Sequence, residues 1–400
     1  MELDCIEAHL LKFHVKPCIV TKAPCVIRFL GTTFVESQSQ LLQGCGNLYA
    51  YVAISENQTN TINAHTITDD DLYFKPEQSY SCTTRIIRNK KGERWFNIIK
   101  GVYHSLLNHG YKLSGCDITL ECTIPFNIGL AAVPAIAIAC AFAFKELFLL
   151  DIADSTLVQC AFLAEQQFMG FSKAKVWDYM TIMLGKKDSL FLYAHKNIKY
   201  RIVPIDMSCH KLYLVNSKVP LFSSREEAST RQVISSLIER GMKEHKVNSL
   251  SSLRPSEVDF YFPSSGSDVK RYISHIVSEL FFLDEGVRLI SNGDYNAFYS
   301  IVNKSQASLS HFYGLSCAEI DWLIKRGFEI KGVKAARIVG KGLGGAVLFV
   351  TNTIDIIEDE IIENLRDDYE KYFGYSPTIN KIFIEDGASS AFNAIKRGGG

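Results

Sequence analysis

Arg337 Ile338 Val339 Gly340 Lys341 Gly342 Leu343 Gly344 Gly345 Ala346 Val347 Leu348 Phe349 Val350 sets four glycines within six residues between two apolar, β-branched runs. The runs read as strands and the glycines as their connection. Glycine permits positive φ and a close backbone approach, so a connection this rich in it is suited to lie against something flat or charged, commonly phosphate. The same glycines also serve strand-turn-strand geometry alone, and the residues by themselves leave both readings open.

A chain of 400 residues, 47% of them apolar, is enough for two ordinary domains or one large one with a real core. Lys plus Arg and Asp plus Glu stand at 43 each, so no net field draws the protein to nucleic acid or to an anionic membrane. A small-molecule partner is expected instead. Eleven cysteines without a CxxC pair or metal-type spacing point to free thiols in a reducing compartment. The acidic start Met1 Glu2 Leu3 Asp4 lacks the form of a secretion signal, so the cytoplasm is the expected location. Ile124 to Phe144 carries no charge over a length that spans a bilayer, yet Pro125, Asn127, Gly129 and Pro134 interrupt its first half, and a buried core helix is expected.

Cys25–Leu30 and Leu48–Ile54 read as early strands, and Asn57–Asp71 as a solvated polar turn region. Helical spacing appears in Arg94–Asn108, in Ser155–Met169 and in Val176–Leu184, while Asp117–Ile124 alternates as a strand feeding the Pro125 loop. A strand at Leu212–Asn216 and a charged amphipathic helix at Ser223–Glu244 suggest a second lobe beginning near residue 205. Helices near Val269–Leu283, Glu285–Lys304 and Ser316–Lys325 follow, then strands around Ala336 and Ala346, a helix at Glu358–Phe373 and a last strand at Lys381–Ile384.

Taken with the glycine run, the stretches Trp95 Phe96 Asn97 Ile98 Ile99 Lys100 Gly101 Val102 and Ala164 Glu165 Gln166 Gln167 Phe168 Met169 Gly170, and the residues Ser308, Leu309, Tyr313, Ser316, Glu319 and Asp321, give the chain its relatives. It resembles galactokinases of the GHMP small-molecule kinase superfamily from about Ala23 to near Gly387. The resemblance implies an α+β, two-lobed fold. Its N-terminal lobe, residues 1–205, would hold a mixed sheet and a buried phosphate-loop helix. The C-terminal lobe, residues 206–400, would be an α/β sandwich whose last strand returns to the first lobe. It also implies ATP-dependent phosphorylation of the anomeric hydroxyl of a hexose, with sugar and nucleotide as partners.

Three motifs carry that chemistry in the family, and two of them depart from it here. The first supplies an arginine that faces the transferring phosphate and a run that grips the sugar. In this chain it reads Ala23 Pro24 Cys25 Val26 Ile27 Arg28 Phe29 Leu30 Gly31 Thr32 Thr33 Phe34 Val35 Glu36, with Val26 at the arginine position and Thr32, Thr33 and Val35 at the sugar-gripping ones. A site built to bind hydroxyls loses orders of magnitude when its partners are removed. Arg28, two residues along the strand, faces the same side as Val26 and is the candidate replacement, a surface role being the alternative. The family's sugar-contacting tyrosine aligns near Glu226.

The second motif is the phosphate loop, here Pro125 Phe126 Asn127 Ile128 Gly129 Leu130 Ala131 Ala132 Val133 Pro134 Ala135. Asn127, Gly129, Leu130, Ala131 and Ala132 are the candidate nucleotide-binding residues, through backbone amides and the helix dipole, a plain core helix start being the alternative. Alanine and valine stand at the serine positions, so no metal ligand is assigned, ATP is expected to bind weakly, and Mg²⁺ would need another scheme. The third motif keeps Gly340, Gly342, Gly344 and Gly345, with Lys341 at a position where the family has a small residue. Lys175 Val176 Trp177 Asp178 Tyr179 Met180 resembles the segment holding the general base, which makes Asp178 the candidate base; an N-cap of the following helix is the alternative. Three functions remain open: a conventional galactokinase, which the missing sugar contacts and serines disfavour, a sugar kinase with altered specificity, or a non-catalytic descendant that senses sugar or nucleotide or binds a protein.

Overall fold

A computed structural model describes residues 2–32, 39–69, 77–170, 174–195, 199–208, 210–221, 225–263, 266–314, 316–340, 342–352 and 358–394. Strands β1 (Ile19–Thr32), β2 (Gln40–Glu56), β3 (Thr61–Thr66), β4 (Ser79–Thr83), β5 (Cys116–Cys122), β6 (Ser189–Ala194) and β7 (Lys199–Pro204) form most of a first sheet. The helices α1 (Glu2–Phe13), α2 (Arg94–Asn108), α3 (Ala132–Leu147), α4 (Asp154–Leu163) and α5 (Val176–Leu184) accompany them.

The long β1 is buried along nearly its whole length because both of its faces are covered. Val20 packs with Cys5 of α1 on one face, and Thr21 donates its hydroxyl to Ala139 O of α3 on the other, at 2.8 Å. This explains a nearly continuous apolar run where a half-exposed strand would alternate. The α3 helix is apolar on all sides and buried between layers, as its alanine-rich sequence foretells. A further turn of π-helix, Ala164–Phe168, extends α4, so the helix expected over Ser155–Met169 changes its winding partway.

The second lobe comprises β8 (His210–Asn216), α6 (Arg225–Glu244), α7 (Val258–Tyr261), α8 (Ser267–Ser291), α9 (Tyr295–Ser308), α10 (Ala318–Glu329), β9 (Val333–Val339), β10 (Ala346–Asn352), α11 (Glu358–Phe373) and β11 (Thr378–Ile382). Its sheet runs β11-β8-β10-β9, with antiparallel neighbours. The chain then returns to the first sheet, where β12 (Ile384–Glu385) pairs with β2 and β13 (Ser389–Asn393) with β1. Among the described residues the two sheets hold nine and four strands. The edge strand β9 is protected by side chains of α9. Asn303 donates to Lys334 O and accepts from Ala336 N–H, and Gln306 accepts from Ile338 N–H, so two amides stand in for a missing strand.

Several local expectations are corrected. Asn57–Asp71 is not a solvated turn throughout, because Ile62, Ala64, His65 and Thr66 are buried in β3, which pairs in parallel with β5. The polar residues that suggest surface there are satisfied within the sheet, as where Asn63 donates to Asp117. The break between the long helices falls at Asn292–Asp294, not near residue 284. Gly293 adopts φ 72° and Asp294 caps α9 by accepting from Ala297 N–H. The last strand expected at Lys381–Ile384 is divided between the two sheets.

Candidate active site

Arg28 and Gln43 are directly opposed in the β1–β2 ladder, and both reach toward the first turn of α5. Arg28 Nη2 lies 3.7 Å from Asp178 Oδ1, with both side chains largely buried. Gln43, fully buried, donates through Nε2 to Thr181 Oγ1 at 2.6 Å and Trp177 O at 3.3 Å, and reaches Asp178 Oδ1 at 3.5 Å. Thr181 in turn donates to Trp177 O, one helical turn back. These bonds fix the N-terminal turn of α5 to β2, and with it the carboxylate of Asp178.

The N-cap of α5 is Lys175, and Asp178 lies in the first turn, so the capping alternative for Asp178 does not match the helix start. Lys175 Nζ sits 5.4 Å over the Trp177 ring. From the other side, the Tyr179 hydroxyl donates to Glu165 in the π-helical turn, and burial, reinforced by that carboxylate, holds the phenol well above its ordinary pKa. Gln43 lies in none of the motifs, and Glu165 enters only as part of the stretch Ala164–Gly170, without a role of its own. The available signal for Gln43 is a lone polar residue inside the run Leu41 Leu42 Gln43 Gly44 Cys45.

The phosphate loop lies beside the same strand. Val26 N–H donates to Leu130 O at 3.0 Å, so the residue at the family's arginine position braces this loop with its backbone. Asn127 (φ 56°), Gly129 (φ 92°) and Ala131 (φ 60°) occupy the left-handed region, and Ala131 is the N-cap of α3. Helical bonding begins with Ala135 N–H to Ala131 O, leaving the amides of Ala132 and Val133 at the open end.

The glycine run folds onto this loop. A Cβ added to Gly129 would lie 2.7 Å from Gly340 Cα, and one added to Gly345 would lie 2.9 Å from Ile128 O. Gly345 N–H donates to Val219 O, while Leu221 N–H donates to Asn127 O, closing a backbone junction between the lobes. Gly342 and Gly344 are buried within the run. Lys341, Thr33 and Val35 lie outside the described residues, as does the side chain of Glu226 in α6; Thr32 is the buried last residue of β1. The structure thus gathers Arg28 with Asp178, and Gly129 and Ile128 with Gly340 and Gly345, with β1 joining the two groups through Val26 and Leu130.

The family model described as GHMP kinases N terminal domain matches residues 97–186. Galactokinase of Thermotoga petrophila is 26% identical over 375 residues, covering 92% of this chain and 98% of its own. Galactokinase of Clostridium acetobutylicum is 26% identical over 344 residues, covering 84% and 86%. Among solved structures, Lactococcus lactis galactokinase complexed with galactose superposes with a TM-score of 0.86 at 18% identity, covering 97% of this chain and 100% of that one. Methanococcus jannaschii mevalonate kinase gives a TM-score of 0.63 at 16% identity, covering 92% and 98%. Residues 97–186 thus match a GHMP kinase N-terminal domain, and the chain is similar to galactokinases over nearly its whole length and shares their fold.

Among the described residues no helix is long and apolar enough to cross a membrane. The ten cysteines described are free thiols, most of them buried; Cys5, Cys25, Cys45, Cys116 and Cys140 are pushed well up in pKa by burial, which suits packing and not reactivity.

Proposed function

We propose that this protein is a sugar kinase that transfers the γ-phosphoryl group of ATP to the anomeric hydroxyl of a hexose or related sugar, with a specificity shifted away from galactose. The observation that carries this reading is the Arg28–Asp178 pair. The arginine lost at position 26 is replaced two residues along, and its guanidinium still meets the candidate base. In the proposed step the hydroxyl oxygen attacks the γ-phosphorus, the bond to the bridging oxygen of the departing ADP breaks, and the hydroxyl proton passes to Asp178. Arg28 and Gln43 hold that carboxylate in place, and Arg28 adds positive charge where negative charge develops.

The nucleotide site is supported by backbone. The left-handed Ala131 and the amides of Ala132 and Val133 offer the anion a helix start, with Gly340–Gly345 packed across it. Mg²⁺ fits less well, since Ala131, Ala132 and Val133 present no side-chain oxygen; no step is assigned to it. That same absence favours a second reading, a non-catalytic descendant that binds sugar, nucleotide or a protein partner. We further propose that residues 1–205 and 206–400 act as the two lobes of the cleft and that the protein works in a reducing, cytoplasmic setting, which its free buried thiols suit. An ADP-release assay across hexoses and polyols, run beside a thermal-shift panel of the same compounds, decides between the two functions. Turnover supports the kinase, and ligand stabilisation without ADP release supports the non-catalytic protein.

A further inference from the structure

A second polar cluster lies across the lobe boundary, away from Asp178. Glu279 of α8 and Arg337 of β9 are each almost completely buried, and Arg337 Nη2 donates to Glu279 Oε2 at 3.2 Å. The same carboxylate oxygen accepts from Gly31 N–H, at the end of β1, at 3.3 Å. Its other oxygen accepts from the hydroxyl of Ser305 in α9, and Arg337 Nε donates to that hydroxyl at 2.9 Å. Arg337 Nη1 donates to Ile338 O at 3.1 Å, so each part of the guanidinium is used. His275, one turn before Glu279, bonds Ser308 Oγ at 2.8 Å and closes the cluster on the α9 side. Burial pulls both His275 and Arg337 down in pKa, with the Glu279 charge opposing it in each case.

What this cluster joins is specific. Gly31 stands where β1 leaves for the first motif's sugar-side residues, with φ 104°. Arg337 stands three residues before Gly340, on the strand that enters the glycine run. A buried ion pair is seldom retained for stability alone, because an apolar pair of similar volume is often as stable, whereas it does fix geometry where two elements must keep register. Here the elements belong to opposite lobes, and where Gly129 meets Gly340 the contact between the lobes is bare backbone.

We propose that Glu279 and Arg337 are positioning residues that clamp the end of β1 to the entry of the glycine run, so that the two site-bearing segments of the cleft keep one mutual geometry. Calling those segments the cleft rests on the kinase reading; the clamp itself does not. Glu279 does this through one oxygen shared by a backbone N–H of the first lobe and a guanidinium of the second.

Backbone hydrogen exchange by NMR or mass spectrometry tests the clamp in the full-length chain without requiring turnover. In the double variant Glu279→Leu with Arg337→Met, which replaces the pair by apolar groups, exchange at Gly31 and across Gly340–Gly345 should accelerate by about tenfold or more, while β3 and β5 keep their protection. Glu279→Gln keeps a carbonyl oxygen for Gly31 and should restore protection at Gly31 more than at Gly340–Gly345. Unchanged exchange at both segments, or acceleration spread evenly over the molecule, overturns the proposal. If the double variant does not fold, Glu279→Gln alone decides by the same two outcomes. ADP release by the wild type with galactose or other hexoses is read separately. Its absence would retire the kinase reading and leave the exchange result standing.

Discussion

Arg28 Nη2 stands 3.7 Å from Asp178 Oδ1, reaching it from a position two residues beyond Val26 on the same face of β1. The strand's two-residue period lets a guanidinium move along the chain and still point into the same space. A charge facing a transferring phosphoryl group contributes on the order of 100-fold or more to its rate. Arg28→Leu is therefore expected to lower kcat/KM by that factor in an ADP-release assay, with Arg28→Lys recovering part of it. Wild-type turnover in Arg28→Leu would place the guanidinium outside the mechanism.

Nucleotide binding should be weak and nearly indifferent to metal, because the proposed phosphate site offers the amides at the start of α3 without a side-chain oxygen at Ala131, Ala132 or Val133. Calorimetry with ATP, with and without Mg²⁺, measures this directly. Returning serines at Ala132 and Val133 is expected to introduce metal dependence. Tight and strictly Mg²⁺-dependent binding by the wild type would reveal a metal ligand supplied from elsewhere in the chain.

The junction of the two loops tolerates no side chain. Gly340 has φ 98°, and a Cβ there would meet Gly129 Cα at 2.8 Å, so Gly340→Ala combines backbone strain with a backbone clash. A loss of more than about 2 kcal/mol is expected, read by chemical unfolding. Gly293→Ala is the control for left-handed backbone alone, since a Cβ at Gly293 meets nothing within 4 Å. It should cost less than Gly340→Ala.

Most of the fold was legible because long periodic segments announced it. The apolar α3, the amphipathic α2 and the strands either side of the glycine run all follow from their spacing. What stayed hidden was non-local. Nothing in Thr61–Thr66 says that its polar residues would be satisfied by a parallel partner more than fifty residues away. The return of the chain to the first lobe was expected from the resemblance alone, and nothing near Lys381 says that two short strands would make it. The site divided in the same way: Asp178 and the glycines were visible as motif, whereas Gln43, Glu165, Glu279 and Arg337 have roles only through partners that the fold brings to them.

A pH effect should appear far from the cleft. Glu121 of β5 has its pKa pushed up from 4.5 to about 7, chiefly by burial, and its Oε2 is buried without a partner. A carboxyl raised in the folded state contributes stability that is fully present below its unfolded pKa and is lost as the pH rises through the folded one. Wild-type Tm should therefore carry a falling component between about pH 4.5 and about pH 7 that Glu121→Gln removes, so the variant gains on the wild type toward about pH 8. Parallel pH profiles of Tm for the two proteins would contradict this assignment.

Asp178→Asn tests the central claim most directly. Asparagine keeps the size and polarity of the side chain but cannot take a proton, and the helix start is held by Lys175 and by the bonds from Gln43, so the fold should survive. The measurement is ADP release on the sugar that the wild type turns over fastest, with Tm recorded for both proteins. The account predicts that Tm is nearly unchanged while turnover falls to background. Phosphoryl transfer by Asp178→Asn at the wild-type rate would contradict it.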